Sequence, residues 1–148
     1  MPGIIVGIDG SDTAQRALEW AMREAAVRHA PLVVLTVHPE AIGAWGLRPI
    51  SYPADQAAQE QAQRAAGEAV EKAVSQLGAE SRQVSVTVRA VSGVPAEELI
   101  NAARDADLLV VGSRGLGGFA RLLVGSVSTQ VAHHALCPVV IIPAERPH

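Results

Sequence analysis

The sequence predicts an α/β fold, an open parallel five-stranded sheet with helices on both faces. Three observations predict it. Five short apolar segments, residues 3–9, 32–37, 84–91, 108–111 and 139–142, alternate with four stretches of helical character. All but the third lack the polar alternation of a half-exposed strand, as strands covered on both faces do. The connections are helix-length, and parallel neighbours need a crossover of about a dozen residues or more.

The first segment, Gly-Ile-Ile-Val-Gly-Ile-Asp at residues 3–9, is a β-branched run that reads as a central strand. Gly10-Ser11-Asp12 is a turn, and the Asp12 to Gln15 spacing predicts a capping box. Ala14, Ala17, Leu18, Ala21, Met22 and Ala25 then recur at steps of three and four, the buried stripe of an amphipathic helix. Ala30-Pro31 breaks it ahead of the second strand. Residues 38–53 lose all periodicity among Pro39, Gly43, Gly46, Pro49 and Pro53, a length that suits a lid or a partner-facing segment. Within it Trp45 either stacks on a ligand ring or pins the loop to the surface.

Residues 54–77 are rich in Ala, Gln and Glu, and predict a helix packed along Ala58, Ala62, Ala65, Ala66, Ala69, Ala73 and Leu77. Gly78 stands where a left-handed cap is wanted. Val84, Val86 and Val88 alternate with Ser85, Thr87 and Arg89, so the third strand has an exposed face or lies at an edge. Pro95 with Glu97 and Glu98 predicts a helix over residues 95–105. After the fourth strand and a glycine-rich loop, Ser126 is the expected N-cap of a helix whose inner face carries Val127, Val131 and Ala135. Pro138 stops it, and Val139–Ile142 is the fifth strand.

Right-handed crossovers stack the first three strands outward, and the chain then returns past the first to lay down the last two. The expected order is 3-2-1-4-5, a Rossmann-like arrangement in a single domain over residues 1–148. Its switch point lies between strands 1 and 4. Ligands of open α/β sheets bind there, which brings Asp9-Gly10-Ser11 and Gly112-Ser113-Arg114-Gly115 to one crevice.

Composition narrows the function. Over 148 residues, 12 Lys and Arg stand against 15 Asp and Glu, a net charge of -3, so there is no basic footprint for polymeric nucleic acid. The lone Cys137 reads as a small core residue in a reducing compartment. No basic leader precedes the first strand and no apolar run approaches ~20 residues, so the expectation is a cytoplasmic protein without a membrane partner.

In the crevice, Gly112 and Gly115 let a ligand approach the main chain, and Gly125 does so just before a helix start. Free N–H groups there, with the Ser126 and Ser128 hydroxyls, form an anion cradle. Its glycines predict that residues 115–124 are mobile without ligand. Arg114 and Arg121 either offset phosphate charge or are solvated loop arginines. Asp9 either accepts from a ribose hydroxyl or bonds its own turn. A P-loop is excluded, because no Gly-x-x-x-x-Gly-Lys-Ser/Thr occurs. The dinucleotide pattern at residues 115–120 starts beyond the strand and lacks its acidic partner. No Gly-x-Ser-x-Gly elbow supports a hydrolase, and adjacent His133 and His134 have the wrong spacing for a metal pair.

The chain resembles the universal stress protein family over nearly its whole length. Residues 4–11, Ile-Ile-Val-Gly-Ile-Asp-Gly-Ser, are similar to the family's first strand and turn. Gly112-x-x-Gly115, nine residues, then Gly125-Ser126 matches the Gly-x2-Gly-x9-Gly-Ser/Thr signature of its ATP-binding branch. The resemblance implies ATP, its phosphates on Gly112, Gly115, Gly125, Ser126 and Val127, its ribose on Asp9, and its adenine at the main chain near Val37 and Val111. The family's usual His-Val pair is Thr36-Val37 here, with His38 following. It also implies a homodimer through Val139–Ile142. A phosphate cradle without a general base, nucleophile or metal cluster makes nucleotide-dependent association in a stress response the leading function. The alternatives are a slow Mg²⁺-dependent ATP hydrolase and a structural dimer holding another adenine nucleotide such as cyclic AMP.

Overall fold

The computed structural model describes residues 3–38, 53–113 and 126–145, and the side chains of all of these except 53–55. The elements are β1 (Ile4–Ile8), α1 (Asp12–Arg28), β2 (Leu32–His38), α2 (Pro53–Leu77), a 3-10 segment (Gly78–Gln83), β3 (Val86–Ser92), α3 (Pro95–Ala102), β4 (Leu108–Gly112), α4 (Ser126–His134) and β5 (Val139–Ile142). The sheet order is β3-β2-β1-β4-β5, and every neighbouring pair is parallel. This is the order the sequence predicts. In register, Ile4 lies between Leu32 and Leu108, and Val6 between Val34 and Val110.

Alternation along each strand feeds two cores. Ile4, Val6, Leu32, Val34, Leu108 and Val110 face α1 and α2, where Leu18, Met22 and Ala73 meet them. Ile5, Leu35, Leu109 and Val111 face α3 and α4, against Leu99 and Val131. Period-2 side-chain geometry forces this division, and it explains why the central strands are apolar throughout. β3 at the edge keeps its alternating exposure, as its Val/polar pattern predicts.

Several boundaries differ from the sequence reading. The N-cap of α1 is Ser11, not Asp12: its Oγ accepts from Ala14 N at 3.1 Å, and Asp12 is the first helical residue. Gln15 does not close a capping box, because with Ser11 as the cap the third helical position falls on Ala14; the Gln15 Nε2 instead donates to the Ala69 carbonyl at 3.0 Å. α1 ends at His29 in the left-handed region (φ 54), its N–H on Ala25 and Ala26 carbonyls. α2 ends at Leu77 with Gly78 left-handed (φ 73), as expected, but a 3-10 segment then delays β3 to Val86. α3 stops at Ala102, short of residue 105. The small-residue stripe of α2 is buried only at Ala66 and Ala73, while Ala58 and Ala65 are exposed. Trp45 and the rest of residues 39–52 lie outside the described residues.

The cap assignment predicts that Ser11→Ala lowers stability in urea unfolding by about 1 kcal/mol. Gln15→Ala should cost stability as well, through loss of the Ala69 bond, with no dependence on whether residue 12 is acidic.

Candidate functional site

At the end of β1 the chain turns sharply at Gly10 (φ 87). Asp9 is exposed, and its Oδ1 accepts from Ser11 N at 3.0 Å. Ser11 in turn caps α1, so two successive side-chain-to-backbone bonds fix this lip relative to the first turn of the helix. The turn-forming role weighed for Asp9 is therefore present. It leaves the carboxylate at the surface, at the C-terminal end of the most central strand.

Facing this lip is the end of β4. A Cβ on Gly112 would stand 2.8 Å from Thr13 Cγ2 and 3.3 Å from the Thr13 carbonyl carbon. Only a residue without a side chain lets β4 approach the start of α1 so closely. Next, Ser113 is nearly buried: its N–H donates to the Ile142 carbonyl at 2.8 Å and its Oγ accepts from Ala144 N at 3.2 Å. Ser128 Oγ in α4 donates to the Ser113 carbonyl at 3.4 Å and is 1% exposed. Ser128 is thus a clasp between α4 and the strand end, not a hydroxyl of the cradle, which corrects that expectation.

Of the residues singled out in the sequence, Asp9, Val111 and Gly112 stand at the C-terminal ends of the adjacent parallel strands β1 and β4, beyond the last register pair Val6↔Val110. Val37 lies one residue beyond the last β1–β2 register pair, Ile8↔Thr36, and its side chain packs toward α3 and α4. Ser126, exposed, and Val127 begin α4. Ser126 is the first helical residue of α4, one position later than the N-cap expected of it; Gly125, Arg114, Gly115 and Arg121 and the loop over 115–124 lie outside the described residues.

Sequence reasoning missed Thr13, the bonding role of Ser113, which it had placed only as part of the crevice, and the buried Nδ1 of His38, which has no hydrogen-bond partner among the described residues. Small hydroxyls carry no periodic signal, so nothing but the fold could have found the first two. It also missed a cavity of about 190 Å³ between the Asp9 turn, Thr36 and α2. His133 and His134 are exposed, with ring centroids 6.3 Å apart. No group of three metal-ligating side chains occurs among the described residues, and no helix among them is long and apolar enough to cross a membrane. Cys137 is half-buried against the α3–α4 core; burial first, and then the charge of Asp107, raise its thiol pKa above the ordinary value.

With this geometry in view, the universal stress protein family model matches residues 2–143. The chain belongs to the universal stress protein family. Curated relatives include universal stress proteins of Mycobacterium tuberculosis, 37% identical over 144 residues (97% of this chain, 48% of that protein), and Mycolicibacterium smegmatis, 34% over 140 residues (95% and 47%). The chain spans about half the length of these relatives. Among solved structures, a universal stress protein in complex with cAMP is 31% identical, with TM-score 0.65 and 95% of each chain covered. UspA from Lactobacillus plantarum is 28% identical, with TM-score 0.68, covering 95% of this chain and 97% of that one. A family member from Archaeoglobus fulgidus in complex with dAMP shares the fold at TM-score 0.67 and 22% identity, covering 96% and 98%.

Two outcomes are expected of this geometry. Gly112→Ala should destabilise the protein by about 2 kcal/mol in urea unfolding through overpacking against Thr13, and Thr13→Ser in the same chain should recover part of the loss. The pH profile of Cys137 alkylation should lie above that of free cysteine, because a raised pKa leaves less thiolate at any given pH. Asp107→Asn should move it back part of the way.

Proposed function

We propose that this domain binds an adenine nucleotide, with ATP as its ligand, and acts by nucleotide-dependent association in a stress response. The observation that carries the reading is that β1 and β4, adjacent parallel strands at the centre of the sheet, end side by side where the strand order reverses. Asp9 on one side is exposed and oriented by its own turn, and on the other Gly112, packed closely on Thr13, ends β4 and leads into the loop. Open α/β sheets bind ligands at such a reversal of strand order.

In this reading Asp9 accepts from the ribose, and Gly112, Gly115, Gly125, Ser126 and Val127 hold the phosphates by main-chain N–H groups and a hydroxyl. The main chain at Val37 and Val111 receives the adenine. Support comes from the family membership, from the cAMP bound by the relative at 31% identity, and from the exposure of Ser126 at the start of a nine-residue helix. Association is assigned to a second copy of this chain through β5. The opposite edge, β3, is covered in part by Gln59 and Gln63 of α2, whereas an uncovered apolar edge invites pairing.

Isothermal titration checks this. ATP should bind, Asp9→Ala should weaken it about tenfold as one charged hydrogen bond is lost, and Gly115→Glu or Gly125→Glu should abolish binding with the fold intact by circular dichroism. No heat at millimolar ATP would falsify the nucleotide reading. ADP, AMP and cAMP titrated alongside rank the ligands. Sustained phosphate release would assign turnover instead, and sedimentation with and without ATP tests the association.

A further inference from the structure

The two halves of α2 are held in different ways. Beyond Gly67, Ala69, Val70, Ala73, Val74 and Leu77 pack into the α1–α2 core, and Gln15 of α1 bonds the Ala69 carbonyl. Ahead of Gly67, residues 56–66 are exposed apart from buried Ala66 and half-buried Ala62. What fastens these turns is a pair of side-chain amides one helical turn apart. Gln63 Nε2 donates to the Val88 carbonyl and Gln59 Nε2 to the Ala90 carbonyl, both at 2.9 Å, along the edge strand β3. On opening, water replaces such bonds, so their net hold is modest.

Gly67 stands between the halves. A Cβ there would meet nothing within 4 Å, so packing does not require glycine. In a helix interior glycine nevertheless weakens the helix relative to alanine, by freeing the unfolded backbone. Against the loosely fastened turns lies the cavity of about 190 Å³, with Ala62, Ala65 and Ala66 of those turns and Ala69 of the anchored half on the α2 side, and Ile8, Thr36, the Asp9 turn and the start of α1 opposite. An apolar cavity of roughly 150 Å³ admits benzene. This one is therefore large enough for a single planar ring.

We propose that the turns of α2 ahead of Gly67 form a lid, hinged at that glycine and latched onto β3 by Gln59 and Gln63, which governs entry to the cavity beside Asp9. Anchor, weak point and latch follow one another along a single helix. The lid stands on these contacts alone and does not depend on which ligand the crevice takes.

Hydrogen exchange read by mass spectrometry on the full chain, with no nucleotide added, tests it. In Gln59→Ala/Gln63→Ala, amides 57–66 should exchange about tenfold faster through more frequent local opening, with amides 68–77 unchanged. Gly67→Ala should slow amides 57–66 about fivefold. An equal rise at 68–77 in the double variant, or no slowing in Gly67→Ala, overturns the hinge. Entry is read from Ala66→Cys, a nearly buried cavity-wall position, in a Cys137→Ala background. Its labelling by a disulfide reagent should quicken with the latch variants and slow with Gly67→Ala, and labelling indifferent to both overturns the gating.

Discussion

Everything in this structure depends on β1 being buried on both faces while paired on both sides. Ile4 and Val6 fill one core and Ile5 the other, and the strand hydrogen-bonds β2 and β4 in parallel. A strand so placed cannot be covered at its C-terminal end by its own helix. α1 leaves toward one face, and the chain beyond β4 leads to α4 on the other. The gap between these departures is a consequence of the strand order, and it leaves Asp9 exposed at the end of β1, beside the strand that ends at Gly112.

The fold was legible because its signal is redundant. Every strand but β3 is a continuous or nearly continuous apolar run, β3 alternates as an edge strand does, and α1 buries the Ala14, Ala17, Leu18, Ala21, Met22 and Ala25 stripe read from spacing. Where the signal was local and single, tertiary contacts overrode it. Gln15 has the spacing of a capping residue, yet its amide is engaged by α2, fifty-four residues away. The α2 stripe over-reads burial for the same reason: alanine spacing sets which face is small, while the extent of the sheet beneath sets how much of it is covered. Of the candidate site, the placement of Asp9 and Gly112 at the ends of neighbouring strands was readable. Thr13 against Gly112, and the Ser113 to Ser128 clasp, were not, since each is a contact between residues far apart in the chain.

The sheet treats its two edges unequally. β3 is a seven-residue strand with outward-facing carbonyls, and Gln59 and Gln63 bond two of them from α2. Covering an edge with side-chain donors removes a template for unwanted pairing at small cost, because glutamine is also a good helix former. The same glutamines thus serve the helix, the edge and the latch. That economy of placement accounts for the Ala- and Gln-rich composition of α2 better than core packing alone, which draws mostly on its second half.

Ser113 joins the crevice to the opposite edge. Its N–H and Oγ are both bonded to the end of β5 and the residues just after it, and its carbonyl is bonded by Ser128 of α4. Arg16, in α1, also donates to the Pro143 carbonyl. The residue that opens the loop after β4 is therefore fixed from three sides, and a shift of that residue is a shift of β5's last turn of main chain as well. In the proposed reading, phosphate contacts around Gly112 and Ser126 act on both ends of this clasp. A ligand held there without being cleaved can still alter the geometry of the edge through which a second copy would associate, because buried hydrogen bonds transmit displacement where a flexible surface loop would absorb it.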